Sequence, residues 1–264
     1  MPRANRYRLS GHLWHITHRC HRQQFLLKFA RDRRLWRYWL FEGYKRFGLC
    51  VLDFTVTSNH IHLLVQDRGR GEIANSMQLI AGRTAQTYNL RKHRRGAFWE
   101  DRYHATAVDT KGYLVRCMVY IDQNMVRAGA VQHPSEWDVC GYREIQNPSA
   151  RYRIIDHPAL MNLLRIRDFQ QLQHMHRNWI EEALKAEPSV RDERWSRSLA
   201  IGRRQFVAQF QADLGMAALH RVIERHGDSH TLRDTAAPYH LDSEGKIVPP
   251  SIPASFQNEA FESR

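Results

Sequence analysis

The chain has 264 residues, and its 40 Lys+Arg against 27 Asp+Glu give a formal net charge of +13. Its apolar share of 42% is ordinary for a folded protein and excludes a wholly disordered chain. No run of residues approaches the roughly 18–20 consecutive apolar positions that a membrane-spanning helix needs. The start of the chain has no apolar signal-peptide core, and the cysteines form no C-x-x-C pair. We therefore expect a cytoplasmic, nucleoid-associated protein with reduced thiols.

The positive charge is concentrated near the start of the chain. Residues 1–100 hold 19 Lys+Arg and 6 Asp+Glu, so the whole excess falls there. Most of these cations are arginines, which bind phosphate in bidentate geometry, and Trp and Tyr residues lie among them. Aromatic rings among cations are what unpaired bases stack on. A solvated basic face is the plain alternative, but the composition favours a nucleic-acid surface over a membrane surface, because no strongly amphipathic terminal helix is present.

The first predicted elements are a strand and a helix. Residues 11–19 are rich in strand-forming side chains between polar flanks, which indicates a strand. Residues 29–47 carry apolar side chains at helical spacing, which predicts an amphipathic helix that ends before Gly48. Two alternating segments, 50–56 and 60–65, follow and predict a β-hairpin with Ser58 and Asn59 in the turn.

The alternation fixes the register of this hairpin. It puts Thr57 opposite His60 and Thr55 opposite His62. One face of the hairpin then carries the two histidines, and the other face is apolar core. The predicted apolar pairs are Val56 with Ile61, Phe54 with Leu63, and Leu52 with Val65.

The remaining pattern predicts a helix over 72–92, a strand over 97–108 and a helix over 110–127. The order strand, helix, strand, strand, helix, strand is that of a ferredoxin-like split βαβ domain. We expect an α+β fold with three parts. Residues 1–147 form an antiparallel sheet with helices on one face, 148–228 are mostly helical, and 229–264 form an extended or poorly ordered tail.

Two histidines and one helix face are candidates for chemistry. His60 and His62 are two apart on a strand, so both imidazoles project from one face and can share a divalent cation. The pattern H-x-H alone is weak, because such pairs are more often hydrogen-bonded surface histidines. Asn124 can supply a third ligand, and Tyr120 lies one helical turn before it. A tyrosine placed there can attack phosphorus, although packing is the commoner role on spacing alone.

Three segments, in this order, resemble the REP-associated tyrosine transposases of the HUH single-strand transposase superfamily. They are residues 59–65 (NHIHLLV), 98–105 (FWEDRYHA) and 120–129 (YIDQNMVRAG). The chain departs from the family pattern by carrying Met125 where Pro is usual, which favours a straighter helix end. The resemblance covers about residues 5–147.

The resemblance implies the chemistry. His60, His62 and Asn124 would bind Mg²⁺ or Mn²⁺. Tyr120 would attack and become linked to the 5′ phosphate of the cleaved DNA strand, leaving a 3′-OH that can rejoin strands. Tyr113 and His104 are second choices for the nucleophile and for a ligand.

The resemblance also implies the partner, which is single-stranded DNA beside a REP-type palindromic hairpin. The protein would then be a DNA transposase that nicks and rejoins such strands. We expect cations of the basic region and of the two later motifs to hold DNA phosphates. These DNA-binding candidates are Arg3, Arg6, Arg8, Arg31, Arg34, Arg102 and Arg127.

Other functions stay open at this point. The same fold can serve as a non-catalytic protein that binds DNA or RNA hairpins. A relaxase with the same chemistry usually carries a helicase, and the sequence has no phosphate-binding G-x-x-x-x-G-K loop. Whether the chain is a monomer or a homodimer also stays open, because related transposases exchange their tyrosine helices.

Overall fold

A computed structural model describes residues 9–110, 112–185 and 192–234. Seven strands lie in one sheet in the order β2-β3-β1-β4-β5-β7-β6. All neighbouring strands are antiparallel except β4 and β5, which are parallel. The strands are β1 (Leu13–Arg19), β2 (Cys50–Val56), β3 (His60–Gln66), β4 (His104–Val108), β5 (Ala200–Gly202), β6 (Arg221–His226) and β7 (Ser229–Asp234).

The described helices agree with the predicted ones early in the chain. The first two differ from prediction by one residue at an end, and Gly48 terminates the first with φ 69°, as the pattern requires. In the parts of the chain that the structure covers, no helix is both long and apolar enough to cross a bilayer. The helices are α1 (Ala30–Phe47), α2 (Glu72–Arg91), α3 (Gly112–Asp122), α4 (Asn124–Arg127), α5 (Gly141–Gln146), α6 (His157–Leu164), α7 (Phe169–Lys185), α8 (Arg194–Arg197) and α9 (Arg204–Leu214).

Helices pack on both faces of the sheet. The fold is α+β as predicted, but the prediction that helices lie on one face only is wrong. Phe54 points to the face of α1, where its ring centroid is 6.4 Å from that of Trp36. The neighbouring pair Thr55 and His62 points to the other face, where the Tyr120 ring on α3 is 5.6 Å from that of His62. Every residue of β2 is buried, because helices pack on both of its faces.

The predicted hairpin register is confirmed near the turn and wrong at its far end. Val56 pairs with Ile61, Phe54 with Leu63 and Thr55 with His62. The Thr57 N–H donates to the His60 carbonyl at 2.9 Å, which closes the turn. Leu52 does not pair with Val65, because a β-bulge between Val51 and Asp53 adds one residue to β2 and Val51 takes that place.

The predicted strand over 97–108 and helix over 110–127 are both shorter in the structure. Only His104–Val108 forms a strand, and Trp99 makes one isolated bridge with Cys20. The long helix is interrupted at Gln123, between α3 and α4, so Met125 does not straighten it. Asp122 is anchored at this break: its carboxylate accepts hydrogen bonds from the Tyr142 N–H at 3.0 Å and from His176 Nε2 at 2.8 Å.

The later part of the chain extends the same sheet. Helices α6, α7 and α9 agree with the predicted helical region, but β5, β6 and β7 were not predicted. β5 has three residues and β6 is only partly buried, so neither shows a clear period of two. β7 lies in the segment predicted as an extended tail, and residues 235–264 lie outside the described residues. The domain boundary after residue 147 stays a prediction.

Candidate active site

The three predicted metal ligands converge, although Asn124 lies far from the two histidines in sequence. His62 points from β3 toward the start of α4, where the Asn124 side-chain amide is 2.8 Å from its Nε2. The ring centroid of His60 is 4.9 Å from that of His62. His62 is buried and His60 is half-buried, so the cluster lies at the boundary between the core and the surface.

The Nδ1 atom of His60 is hydrogen-bonded within the hairpin turn. This atom is 2.7 Å from Asn59 Oδ1 and 2.9 Å from the Thr57 hydroxyl. An amide oxygen only accepts hydrogen bonds, so Nδ1 carries the proton and donates it. Metal-bound histidines characteristically donate their other ring N–H in this way.

The donor set fits a divalent cation. Two adjacent ligand atoms, each about 2.1 Å from an octahedral ion, lie about 3 Å apart. The 2.8 Å between His62 Nε2 and the Asn124 amide matches that spacing once the amide presents its oxygen. Among the described residues no cluster of three or more His, Cys, Asp or Glu can hold a metal ion.

Tyr120 is held between four side chains and is only 7% exposed. Its ring stacks on Trp195 with centroids 5.8 Å apart and stands edge-on to His62 and His15 at 5.6 and 5.9 Å. The Arg127 guanidinium lies 4.4 Å above the ring centroid. The predicted nucleophile therefore lies beside the predicted ligands. Tyr113 is directed elsewhere, because its hydroxyl donates to the Asp228 carbonyl at 3.0 Å.

A groove of about 370 Å³ opens over the histidine cluster. Its walls carry the cations Arg19, Arg102 and Arg197, together with Glu100 and Asp101. Its other lining residues are His60, His62, His104, Thr17, His18, Gln23 and Ser196. A groove of this kind can place a phosphate against the predicted metal ligands.

The predicted DNA-binding arginines are distributed over several surfaces. Arg102 lines the groove, and Arg127 packs on Tyr120. Arg31 and Arg34 are exposed on α1, across the sheet from the histidines, and Arg34 lines a separate concavity with Asp138. The remaining predicted contacts, Arg3, Arg6 and Arg8, lie outside the described residues.

A second surface near the site combines exposed aromatic rings with cations. Phe25 and Phe29 are 65% and 58% exposed, and the Lys92 ammonium is 5.4 Å from the Phe29 ring centroid. Residues 19–31 and residues 73–99 contain no Asp or Glu.

 We name Phe25, Phe29, Lys28 and Lys92 the basic-aromatic patch. It adjoins the groove, because Asn59 Nδ2, beside His60, donates to the carbonyl of Gln23 at 3.2 Å.

Sequence reasoning missed two residues that contact the predicted site. His15 lies in the predicted strand 11–19, but only the pairing of β1 with β3 brings it to His62. Trp195 belongs to α8, a four-residue helix with no sequence signal of its own. The strand-forming residues of 11–19 predicted a strand there but not which strand lies beside it.

Part of the chain is similar to known proteins. Residues 8–124 match the family model described as IS200-like transposases. One similar solved structure is described as a REP-associated tyrosine transposase bound to a REP hairpin: it has 17% identity and a TM-score of 0.47, and the match covers 59% of this chain and 94% of that one. Another, from Deinococcus radiodurans R1 and described as a candidate transposase, has 14% identity and a TM-score of 0.33, over 47% and 89% of the two chains. No curated protein matches the chain.

Proposed function

We propose that this chain, of which residues 8–124 match the family model of IS200-like transposases, nicks and rejoins single-stranded DNA beside palindromic hairpins. Tyr120 forms a covalent 5′-phosphotyrosine link in this reaction. The observation that carries the proposal is the convergence of Tyr120 with His60, His62 and Asn124. A tyrosine beside two imidazoles and an amide is suited to attack on a phosphodiester.

The groove and the basic-aromatic patch would bind the DNA. Arg19, Arg102 and Arg197 in the groove walls suit phosphate oxygens, which position the strand without reading its sequence. Phe25 and Phe29 suit stacking on unpaired bases next to the hairpin stem. The hairpin itself is inferred from the resemblance of the three motifs.

His60, His62 and Asn124 would hold Mg²⁺ or Mn²⁺. When bound, the ion polarises the scissile phosphate and stabilises charge on its oxygens. The Tyr120 oxygen loses its proton and forms a bond to phosphorus, while the bond from phosphorus to the 3′ oxygen breaks and that oxygen takes up a proton. Arg127, above the ring, stabilises the negative charge of the attacking tyrosine. The link conserves the phosphodiester, so a 3′-OH can reverse the step.

The packing of Tyr120 sets a condition on this reaction. The ring lies against Trp195 and is not among the residues that line the groove. Attack on a phosphate in the groove therefore requires the Tyr120 ring to turn toward it or α8 to shift. Movements of this kind often accompany substrate binding.

A denaturing gel tests the proposal. Single-stranded hairpin oligonucleotides, labelled at the 5′ or 3′ end, are incubated with Mg²⁺ or Mn²⁺ and the full chain. We expect a protein adduct that carries only the 3′-labelled fragment, and we expect Tyr120→Phe to abolish it. Tyr113→Phe is the matched control, because Tyr113 is on the same helix with similar burial, and it should form the adduct normally. An adduct formed by Tyr120→Phe would contradict the proposal.

The burial of Tyr120 favours a second candidate, a hairpin-binding protein that no longer cleaves DNA. In that case a native gel would show a retarded hairpin, EDTA would change nothing, and His60→Ala would bind as the unmodified chain does. Cleavage without an adduct would instead indicate a hydrolytic nuclease.

A further inference from the structure

His15 and His62 are joined directly across two neighbouring strands. In the β1–β3 register Thr17 lies opposite His62, so His15 is the diagonal neighbour of His62 on the same face. The two rings are stacked, with centroids 5.1 Å apart and planes within 9° of each other. His15 Nε2 is 2.9 Å from His62 Nδ1, so one proton is shared between these two nitrogens.

The other side of His15 decides which nitrogen owns that proton. His15 Nδ1 is 2.9 Å from the carbonyl oxygen of Trp195, and a carbonyl only accepts, so His15 donates there. His15 is fully buried, and burial disfavours the charged form of an imidazole, so the ring is neutral. A neutral imidazole with its proton on Nδ1 accepts at Nε2. His62 must therefore donate from Nδ1, which leaves the lone pair of His62 on Nε2, facing Asn124.

The Trp195 carbonyl is itself held in place by the sheet. The Thr106 hydroxyl lies 3.3 Å from it and 2.7 Å from the carbonyl of Ser198. The Ala107 N–H donates to the Leu199 carbonyl at 2.8 Å, next to the parallel β4–β5 pairing. These contacts fix a segment that lies beyond the residues matched by the family model.

We propose that His15 is a positioning residue that holds His62 with its proton on Nδ1 and so directs the Nε2 lone pair to the cation site. The Trp195 carbonyl sets the orientation of His15, which makes residues 195–199 a support of the metal site. This inference rests on the proposed function insofar as His62 is a metal ligand. Loss of such a hydrogen-bond partner typically weakens metal binding about 10- to 100-fold.

The first test needs no substitution. In the metal-free full chain, ¹⁵N NMR of the histidine rings reports which nitrogen carries the proton, and His62→Gln identifies the His62 signals. We expect a protonated Nδ1 and an unprotonated Nε2. A proton on Nε2 of His62 would overturn the inference.

The second test measures Mn²⁺ binding to the full chain without DNA, from the electron paramagnetic resonance signal of unbound Mn²⁺. His15→Phe should bind Mn²⁺ about 10- to 100-fold more weakly. His15→Gln should recover part of that loss, because its amide can donate to Trp195 and accept from His62. His157→Phe is the matched control: it replaces another buried histidine, which packs on Phe169 and does not contact His62, and it should bind Mn²⁺ normally.

The outcomes separate this inference from the proposed function. Normal Mn²⁺ binding by His15→Phe overturns the role of His15 alone, as does an equal loss in His157→Phe, which would indicate a general packing effect. Absence of Mn²⁺ binding by the unmodified chain would overturn both the inference and the metal-dependent function. A failed adduct test with normal Mn²⁺ binding overturns only the function. If His15→Phe does not fold, His15→Gln and the NMR measurement decide.

Discussion

Two regions of the sheet contribute in different ways to the candidate site. Residues 9–124 carry all the described side chains that we expect to contact the metal or the phosphorus atom, and three motifs marked them in the sequence. Residues 192–234 carry none of these ligands, yet Trp195 stacks on Tyr120 and its carbonyl fixes His15. Reactive groups thus stand out in a sequence, whereas the groups that orient them do not.

The difference has a physical reason. A ligand or nucleophile must have one particular chemistry, so few residue types can occupy its position. A support such as Trp195 acts through a backbone carbonyl and a packed ring, and many residue types offer one of these. The predictions below test how far this division of roles holds.

The largest expected effect is the loss of nicking rate on removal of a predicted metal ligand. His62→Ala or Asn124→Ala should slow nicking by about three orders of magnitude, equivalent to roughly 4 kcal/mol, because the metal would lose a ligand. Single-turnover cleavage of a labelled hairpin oligonucleotide measures this. His104→Ala is the control from the same groove, and a comparable loss there would show that the ligand set has been misassigned.

A core substitution in the later region tests whether the two regions fold as one unit. Phe210 on α9 is 1% exposed, and its ring centroid is 5.9 Å from that of Trp14 on β1. Phe210→Ala should lower the free energy of unfolding by about 3–5 kcal/mol in a single urea transition. Val222→Ala, on exposed β6, should have little effect. Two separate transitions would show that the regions are independent.

Substitutions in the basic-aromatic patch test whether residues outside the three motifs contribute to DNA binding. Phe25→Ala and Phe29→Ala should each weaken binding of single-stranded DNA by about 1–3 kcal/mol, the usual value of one base stacked on an aromatic ring. Duplex DNA should bind as before. Tyr152→Ala, which removes a 56% exposed ring elsewhere, serves as the control in fluorescence anisotropy. Equal losses for single strands and duplex would argue against stacking.

A smaller effect concerns a buried acid that neither region uses for chemistry. Burial raises the pKa of Asp53 well above the ordinary carboxyl value, and the charges of Asp122 and Glu144 raise it further. The folded chain therefore holds a proton that the unfolded chain releases, so this group's contribution to stability falls as pH rises above about 4.

Asp53→Asn should remove that dependence. The difference in unfolding free energy between Asp53→Asn and the unmodified chain should grow with pH in favour of the variant, with a limiting slope of about 1.4 kcal/mol per pH unit. Urea unfolding at pH 5, 6 and 7 measures it. A difference that stays constant over this range would show that Asp53 is ionised in the folded state.

Local patterns predicted much of the fold and the reactive residues. The β2–β3 hairpin followed from strict alternation around a short turn, and α1 followed from helical spacing that stops at Gly48. The bulge beside Leu52 and the break at Gln123 depend on contacts with distant residues, such as Asp122 with His176 on α7. The hydrogen bond between His15 and His62 depends on strand order, which alternation within one strand does not specify.

The most direct test of the central claim identifies the residue that becomes linked to DNA. A 3′-labelled hairpin oligonucleotide is incubated with the full chain and Mn²⁺, the adduct is digested with trypsin, and the linked peptide is identified by mass spectrometry. Cleavage after Lys111, Arg116 and Arg127 separates the two candidate tyrosines, leaving Tyr113 in residues 112–116 and Tyr120 in residues 117–127. The account predicts DNA on the peptide with Tyr120. DNA on the peptide with Tyr113, or cleaved DNA linked to no peptide, would contradict it.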